Sequence, residues 1–125
     1  MDTRTKILSR EAARGLCAPS PVVVTGYFDI LRAEHARVLE EARRRAGNGT
    51  VVALVLPFAA AVFPPRARAE MAAAFRVIDY VVIGDDEDVT TLLEGLQPLA
   101  IVHLEADEER LHRELVQHVH TRQGR

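Results

Sequence analysis

The strongest constraint on this chain is a set of short apolar runs that do not alternate in polarity. Residues 21–28, 50–56 and 79–83 are rich in valine, leucine and isoleucine and are bounded by turn residues. A strand with one face in water alternates apolar and polar side chains, whereas an unbroken run needs cover on both faces, as in a buried parallel sheet. A fourth run, 100–103, is shorter. Between the runs lie helical stripes: His35, Val38, Leu39 and Ala42; Arg68, Met71, Ala72 and Phe75; and Val89, Leu92, Leu93 and Leu96, stopped by Pro98. Strand and helix in alternation predict a parallel sheet with right-handed crossovers and helices on both faces, a three-layer α/β/α fold.

Two flanks complete the chain. Ser9 is placed to cap a short helix through Leu8, Ala12, Ala13 and Leu16. Asp107 is placed to cap a helix over about 108–122, with Glu108 and Glu109 in its first turn and Leu111, Leu115 and Val119 on one face. Residues 47–50 form a turn rather than a linker, so one domain over 1–125 is expected, with a helical lead-in over 1–20 and a C-terminal helix over 107–122. A net charge of -2 gives no electrostatic footprint for nucleic acid. The single cysteine, Cys17, forms no internal bridge and excludes paired-cysteine metal sites, and the expected compartment is the cytoplasm. The charged N-terminus is not a secretory signal, and the apolar stretch 51–63 is too short for a bilayer and broken by Pro57, so no membrane partner is expected.

The chemistry concentrates at 22–35, where a strand (Val22, Val23, Val24) runs through Thr25, Gly26, Tyr27, Phe28 and Asp29 into a helix starting near Arg32. Helix N–H groups then stand beside the carboxyl edge of the first apolar run, where phosphate binds naturally. Asp29 has two roles open to it, capping that helix or facing a ligand. His112, His118 and His120 lack the i, i+4 pairing of a helical metal site, and no metal ligands are assigned.

This stretch resembles the strand-turn-helix of the cytidylyltransferase-like nucleotidylyltransferases. Their glycine-x-phenylalanine-aspartate turn is followed by a histidine-x-glycine-histidine motif, and Arg32-Ala33-Glu34-His35 occupies that slot. The similarity is to heptose-phosphate adenylyltransferases and glycerol-phosphate cytidylyltransferases, and it runs from about residue 5 to 103. Lys6 to Glu11 matches their lead-in, Arg68 to Met71 an arginine-bearing helix, Ile78 to Val82 a strand, and Gln97 to Val102 the next. The resemblance implies a Rossmann-like sheet of 4–5 strands in the order 3-2-1-4(-5), counted from the run at 21–28. It implies catalytic roles for Arg32 and His35, and nucleotide or phosphate contacts from Thr25, Gly26, Tyr27, Phe28, Asp29, Glu34, Arg68 and His103.

Several departures bear on activity. Arg32 replaces a motif histidine but still offers a phosphate clamp. Glu34 replaces the motif glycine, adding bulk and negative charge. The loop at 57–65 is apolar where the family carries a lysine, His103-Leu104-Glu105-Ala106 stands in place of a lysine-glycine-glycine-aspartate-like segment, and a serine/threonine-arginine segment opening a last helix has no counterpart. The expectation is therefore a degenerate domain with a residual site for a nucleotide or phosphorylated small molecule. The alternative is an active enzyme using Mg2+ with ATP or CTP to transfer AMP or CMP to a sugar phosphate or polyol phosphate. The apolar loop and the 108–122 helix further predict a homodimer, or a protein partner, covering them.

Overall fold

The computed structural model describes residues 2–15, 20–84 and 89–123. Five parallel strands form one sheet: β1 (Ile7–Leu8), β2 (Val22–Gly26), β3 (Val51–Val55), β4 (Tyr80–Ile83) and β5 (Ala100–His103), in the order β1-β4-β3-β2-β5. The four apolar runs supply β2 to β5, and among themselves they stand in the expected order. The fifth strand differs: it lies at the opposite edge, where Ile7 and Leu8 pair with Val81 and Val82. Two residues carry no periodicity of their own, and the open edge of β4 recruits them by hydrogen bonding. Leu8 thus leaves the expected helical stripe. The lead-in is instead a 3-10 turn (Thr3–Lys6), β1 and a short helix α1 (Arg10–Arg14), which Ser9 caps by accepting from the Ala12 N–H at 3.2 Å. Leu16 and Cys17 lie outside the described residues.

Helices α2 (Ala33–Ala46) and α3 (Pro65–Ala73) cover one face of the sheet, and α1 and α4 (Val89–Leu96) the other. Val22 and Val24 pack with Leu39 and Ala42 of α2, while Val23 between them packs with Leu92 and Leu96 of α4. Both faces of β2 and β3 are buried along their whole length, which is why their sequences do not alternate. Each such valine contributes about 1.5–3 kcal/mol of burial. Near the end of α2, Arg43 pairs with Asp79 at 2.9 Å and ties the helix to the start of β4.

The last helix, α5 (Glu105–Gln123), starts earlier than an Asp107 cap predicts. Leu104 is fully buried and its carbonyl accepts from the N–H groups of Asp107 and Glu108 at 3.1 Å, so β5 passes straight into the helix. This seats the first turns of α5 over the carboxyl end of β2, with Glu108 and Leu111 buried, while Leu115, Val116 and Val119 stay exposed. Among the described residues no helix is long and apolar enough to cross a membrane.

Candidate functional site

Gly26 ends β2, and the chain then bends at Phe28, which is fully buried with φ at 52°. A non-glycine residue in this left-handed region costs roughly 1–2 kcal/mol, offset here by burial of the ring. The bend brings the N–H groups of Tyr27, Phe28 and Asp29 to bear on one carboxylate, the arrangement of an anion-binding backbone nest. Beyond it α2 opens at Ala33, with Arg32 at the N-cap. The Arg32 N–H donates to His35 Nδ1 at 2.9 Å, which fixes the imidazole with its proton on Nε2. His35 is fully buried, and burial holds its pKa below the usual value, so the ring is neutral. On its other side the ring is buried against Asp107 of α5, whose backbone favours the protonated imidazole without offsetting the burial.

The nest already holds an anion, the carboxylate of Glu108. Its Oε1 accepts from the Tyr27 N–H at 2.7 Å, and the N–H groups of Asp29 and Phe28 also favour its ionised form. Burial outweighs them and pushes its pKa up to about 7. Oε2 is buried with no partner. Gly26 makes room for this side chain, because a Cβ there would stand 2.8 Å from Oε1. Two further acids of α5 hold the same segment. Glu105 accepts from the Thr25 hydroxyl at 2.8 and 3.1 Å and meets His103 Nδ1 at 2.9 Å, while Thr25 and His103, paired across β2 and β5, are 3.0 Å apart. Glu109 accepts from the Tyr27 hydroxyl at 2.5 Å, and the Tyr27 pKa is raised, first by burial and then by that bond.

The expected site residues therefore separate into three groups. Thr25, Gly26, Tyr27, Phe28, His35 and His103 surround the nest, and Arg32 and Glu34 are exposed at the start of α2. Asp29 does not cap α2: its carboxylate accepts from the N–H groups of Val62 and Phe63, both at 2.8 Å, and holds the 57–65 loop. Arg68 is buried and donates to three carbonyls, of Phe63 (3.1 Å), Tyr27 (3.0 Å) and Leu56 (2.8 Å). Phe58 on that loop stacks on Tyr27 with ring centroids 4.2 Å apart. Sequence reasoning missed Glu105 and Glu109 as site residues and read Glu108 only as a first-turn acid. One signal was available, since Glu108 interrupts an otherwise apolar stripe of Leu104, Leu111 and Leu115. Among the described residues no group of three or more His, Cys, Asp or Glu side chains is arranged to hold a metal ion.

No family model matches the chain. Individual relatives do. The FAD synthase of Methanohalophilus mahii is 35% identical over 89 residues, covering 65% of this chain and 60% of the relative. The FAD synthase of Ferroglobus placidus is 32% identical over 101 residues, covering 75% and 66%. A lipopolysaccharide core biosynthesis protein from Thermoplasma volcanium shares the fold, with a TM-score of 0.58 at 23% identity over 65% of this chain and 70% of that one. The chain belongs to the cytidylyltransferase-like nucleotidylyltransferase family. It spans somewhat less than two thirds of the length of these FAD synthases. In this family member the motif slot has an exposed guanidinium at Arg32 and a buried neutral imidazole at His35, and the adjoining backbone nest is occupied by the chain's own carboxylate.

Proposed function

We propose that this chain is a degenerate nucleotidylyltransferase-like domain that keeps a residual nucleotide- or phosphate-binding site and has weak or no catalysis. The observation that carries this reading is the Glu108 carboxylate on the Tyr27 N–H. A phosphate oxygen and a carboxylate oxygen make the same demand on converging N–H groups. A triphosphate approaching this turn therefore meets occupied donors and like charge from Glu105, Glu108 and Glu109. Glu34 adds a further negative charge beside Arg32, the cation available to clamp a phosphate at the helix start. Transition-state stabilisation in nucleotidyl transfer depends on such positioned positive groups, and here they are few. The test is pyrophosphate release by the purified chain with Mg2+ and ATP or CTP, offered sugar phosphates, polyol phosphates or a flavin. Release near background is expected, and robust turnover rejects the reading.

The second reading is active transfer of AMP or CMP from ATP or CTP, with Mg2+ carried on the nucleotide phosphates. Two observations favour it: the relatives are named FAD synthases, and Arg32 stays exposed where a phosphate would arrive. We also propose a cytoplasmic protein that associates with itself, through the apolar residues that α5 and the 57–65 loop leave exposed. Val62, Phe63, Leu115, Val116 and Val119 are all at least two-fifths exposed.

A further inference from the structure

The α5 acids do more than occupy space. Glu108 is a buried carboxylate whose second oxygen lacks any hydrogen bond, lying beside Glu105, while its neighbour Asp107 lies over the fully buried His35 imidazole. A packed interior pairs its polar groups, and leaving Glu108 Oε2 orphaned at this junction marks a contact that is not the optimum for the carboxylate. The N–H groups of Tyr27, Phe28 and Asp29 are all donors, and donors converging in this way fit the several oxygens of a multivalent anion as well as a single carboxylate oxygen.

The attachment of α5 is also one-sided. Its buried contacts are limited to Glu108, Leu111 and the preceding Leu104, whereas Leu115, Val116 and Val119 further along are exposed. A helix anchored only through its first turns, by Leu111, Glu105, Glu108 and Glu109, over a seat shaped for anions has the properties of a movable cover.

We propose that the first two turns of α5 are a built-in plug: Glu108 holds the anion seat of the β2–α2 turn and its helix covers His35 Nε2, so a phosphate group enters only when this end of α5 swings away. The proposal rests on the residual phosphate site of the reading above and adds that the chain itself closes it. With α5 withdrawn, the Tyr27, Phe28 and Asp29 N–H groups and the His35 Nε2–H are free to donate to phosphate oxygens. Arg32 at the start of α2 then supplies the charge.

The experiment compares the full chain with Glu108→Ala and Glu108→Gln for binding of inorganic pyrophosphate at pH 8 without metal, by calorimetry and amide NMR. Both variants are expected to bind more tightly than the unsubstituted chain, Glu108→Ala by at least tenfold, with the Tyr27, Phe28 and Asp29 amides shifting on titration. Glu108→Gln keeps the side-chain volume and secures the comparison if the alanine variant does not fold. Equal affinity in all three proteins, or a gain whose amide shifts fall elsewhere, overturns the plug. The two readings fail separately: turnover by the unsubstituted chain rejects degeneracy, whereas absence of a gain in both variants rejects the plug and leaves the turnover result untouched.

Discussion

The backbone N–H of Tyr27 and the carboxylate of Glu108, 81 residues apart in sequence, meet at 2.7 Å. This contact is charged at one end and buried, so it makes stability depend on pH in a direction that can be worked out. The Glu108 pKa is raised from 4.5 to about 7, chiefly by burial. Between those values the folded chain holds a proton that the unfolded chain has lost. Stability from this group is therefore greatest below about 4.5 and falls as pH rises towards 7, by an amount on the order of 3 kcal/mol. Buried His35 has the opposite sign: its lowered pKa gives stability that is present above 6.5 and lost as pH falls. Glu108→Gln removes the first slope and leaves the second. Urea denaturation at pH 5 and pH 8 is expected to show the variant gaining on the unsubstituted chain by about 1–3 kcal/mol at the higher pH. Parallel pH profiles would contradict it.

Gly26→Ala probes the same packing from the strand side. Its Cβ would stand 2.8 Å from Glu108 Oε1 and 3.2 Å from both Leu104 Cβ and the Phe28 ring. Overpacking of this kind costs about 1–3 kcal/mol. In a Glu108→Ala background the closest neighbour is gone and part of that cost should disappear, while the Leu104 and Phe28 contacts keep it above zero. Additive losses in the double variant would show that Glu108 does not lie over Gly26.

Phe63 is gripped from both sides of its backbone, its N–H by Asp29 at 2.8 Å and its carbonyl by Arg68 at 3.1 Å. Asp29→Ala strips two charge-assisted bonds, to Val62 and Phe63, and is expected to cost about 2–4 kcal/mol. Arg68→Met leaves three carbonyls without their donor and belongs in the same range, about 2–4 kcal/mol. Because both side chains restrain one loop, the double variant should lose less than the sum, with a coupling of about 1 kcal/mol in a double-mutant cycle. Strict additivity would mean that the loop is held elsewhere.

The sheet was legible because burial on both faces leaves a mark that local sequence carries: Val22 to Val24 and Val51 to Val55 have no polar alternation to hide. The strand at Ile7–Leu8 was not, since two residues take their conformation from the edge they join rather than from their own pattern. The turn at 26–29 was legible as an anion site from its glycine and the helix behind it. What fills it was not. Nothing in the spacing of Glu105, Glu108 and Glu109 says that β5 passes directly into α5 and brings these acids over Thr25 and Tyr27. Asp29 and Arg68 were legible as important residues, yet their partners are backbone atoms of 56–63 and of Tyr27, and backbone partners leave no trace in residue identity.

The last prediction concerns what covers α5. Leu115, Val116 and Val119 lie four or fewer residues apart on one helix and, with Ile30 and Val62, line one shallow apolar depression that no described residue closes. Large apolar side chains gathered on one surface usually meet a partner. A second copy brings the same stripe to the contact, and a two-fold axis beside Leu115 would set the stripes of two α5 helices against each other in a closed pair. A homodimer at micromolar concentration is therefore expected in sedimentation equilibrium. Leu115→Glu would place two like charges near that axis and should dissociate the pair while leaving the fold intact, because Leu115 is 42% exposed in the single chain. A monomer across the concentration range would reject self-association, and a dimer indifferent to Leu115→Glu would move the interface from α5 to the exposed Phe63 side of the loop.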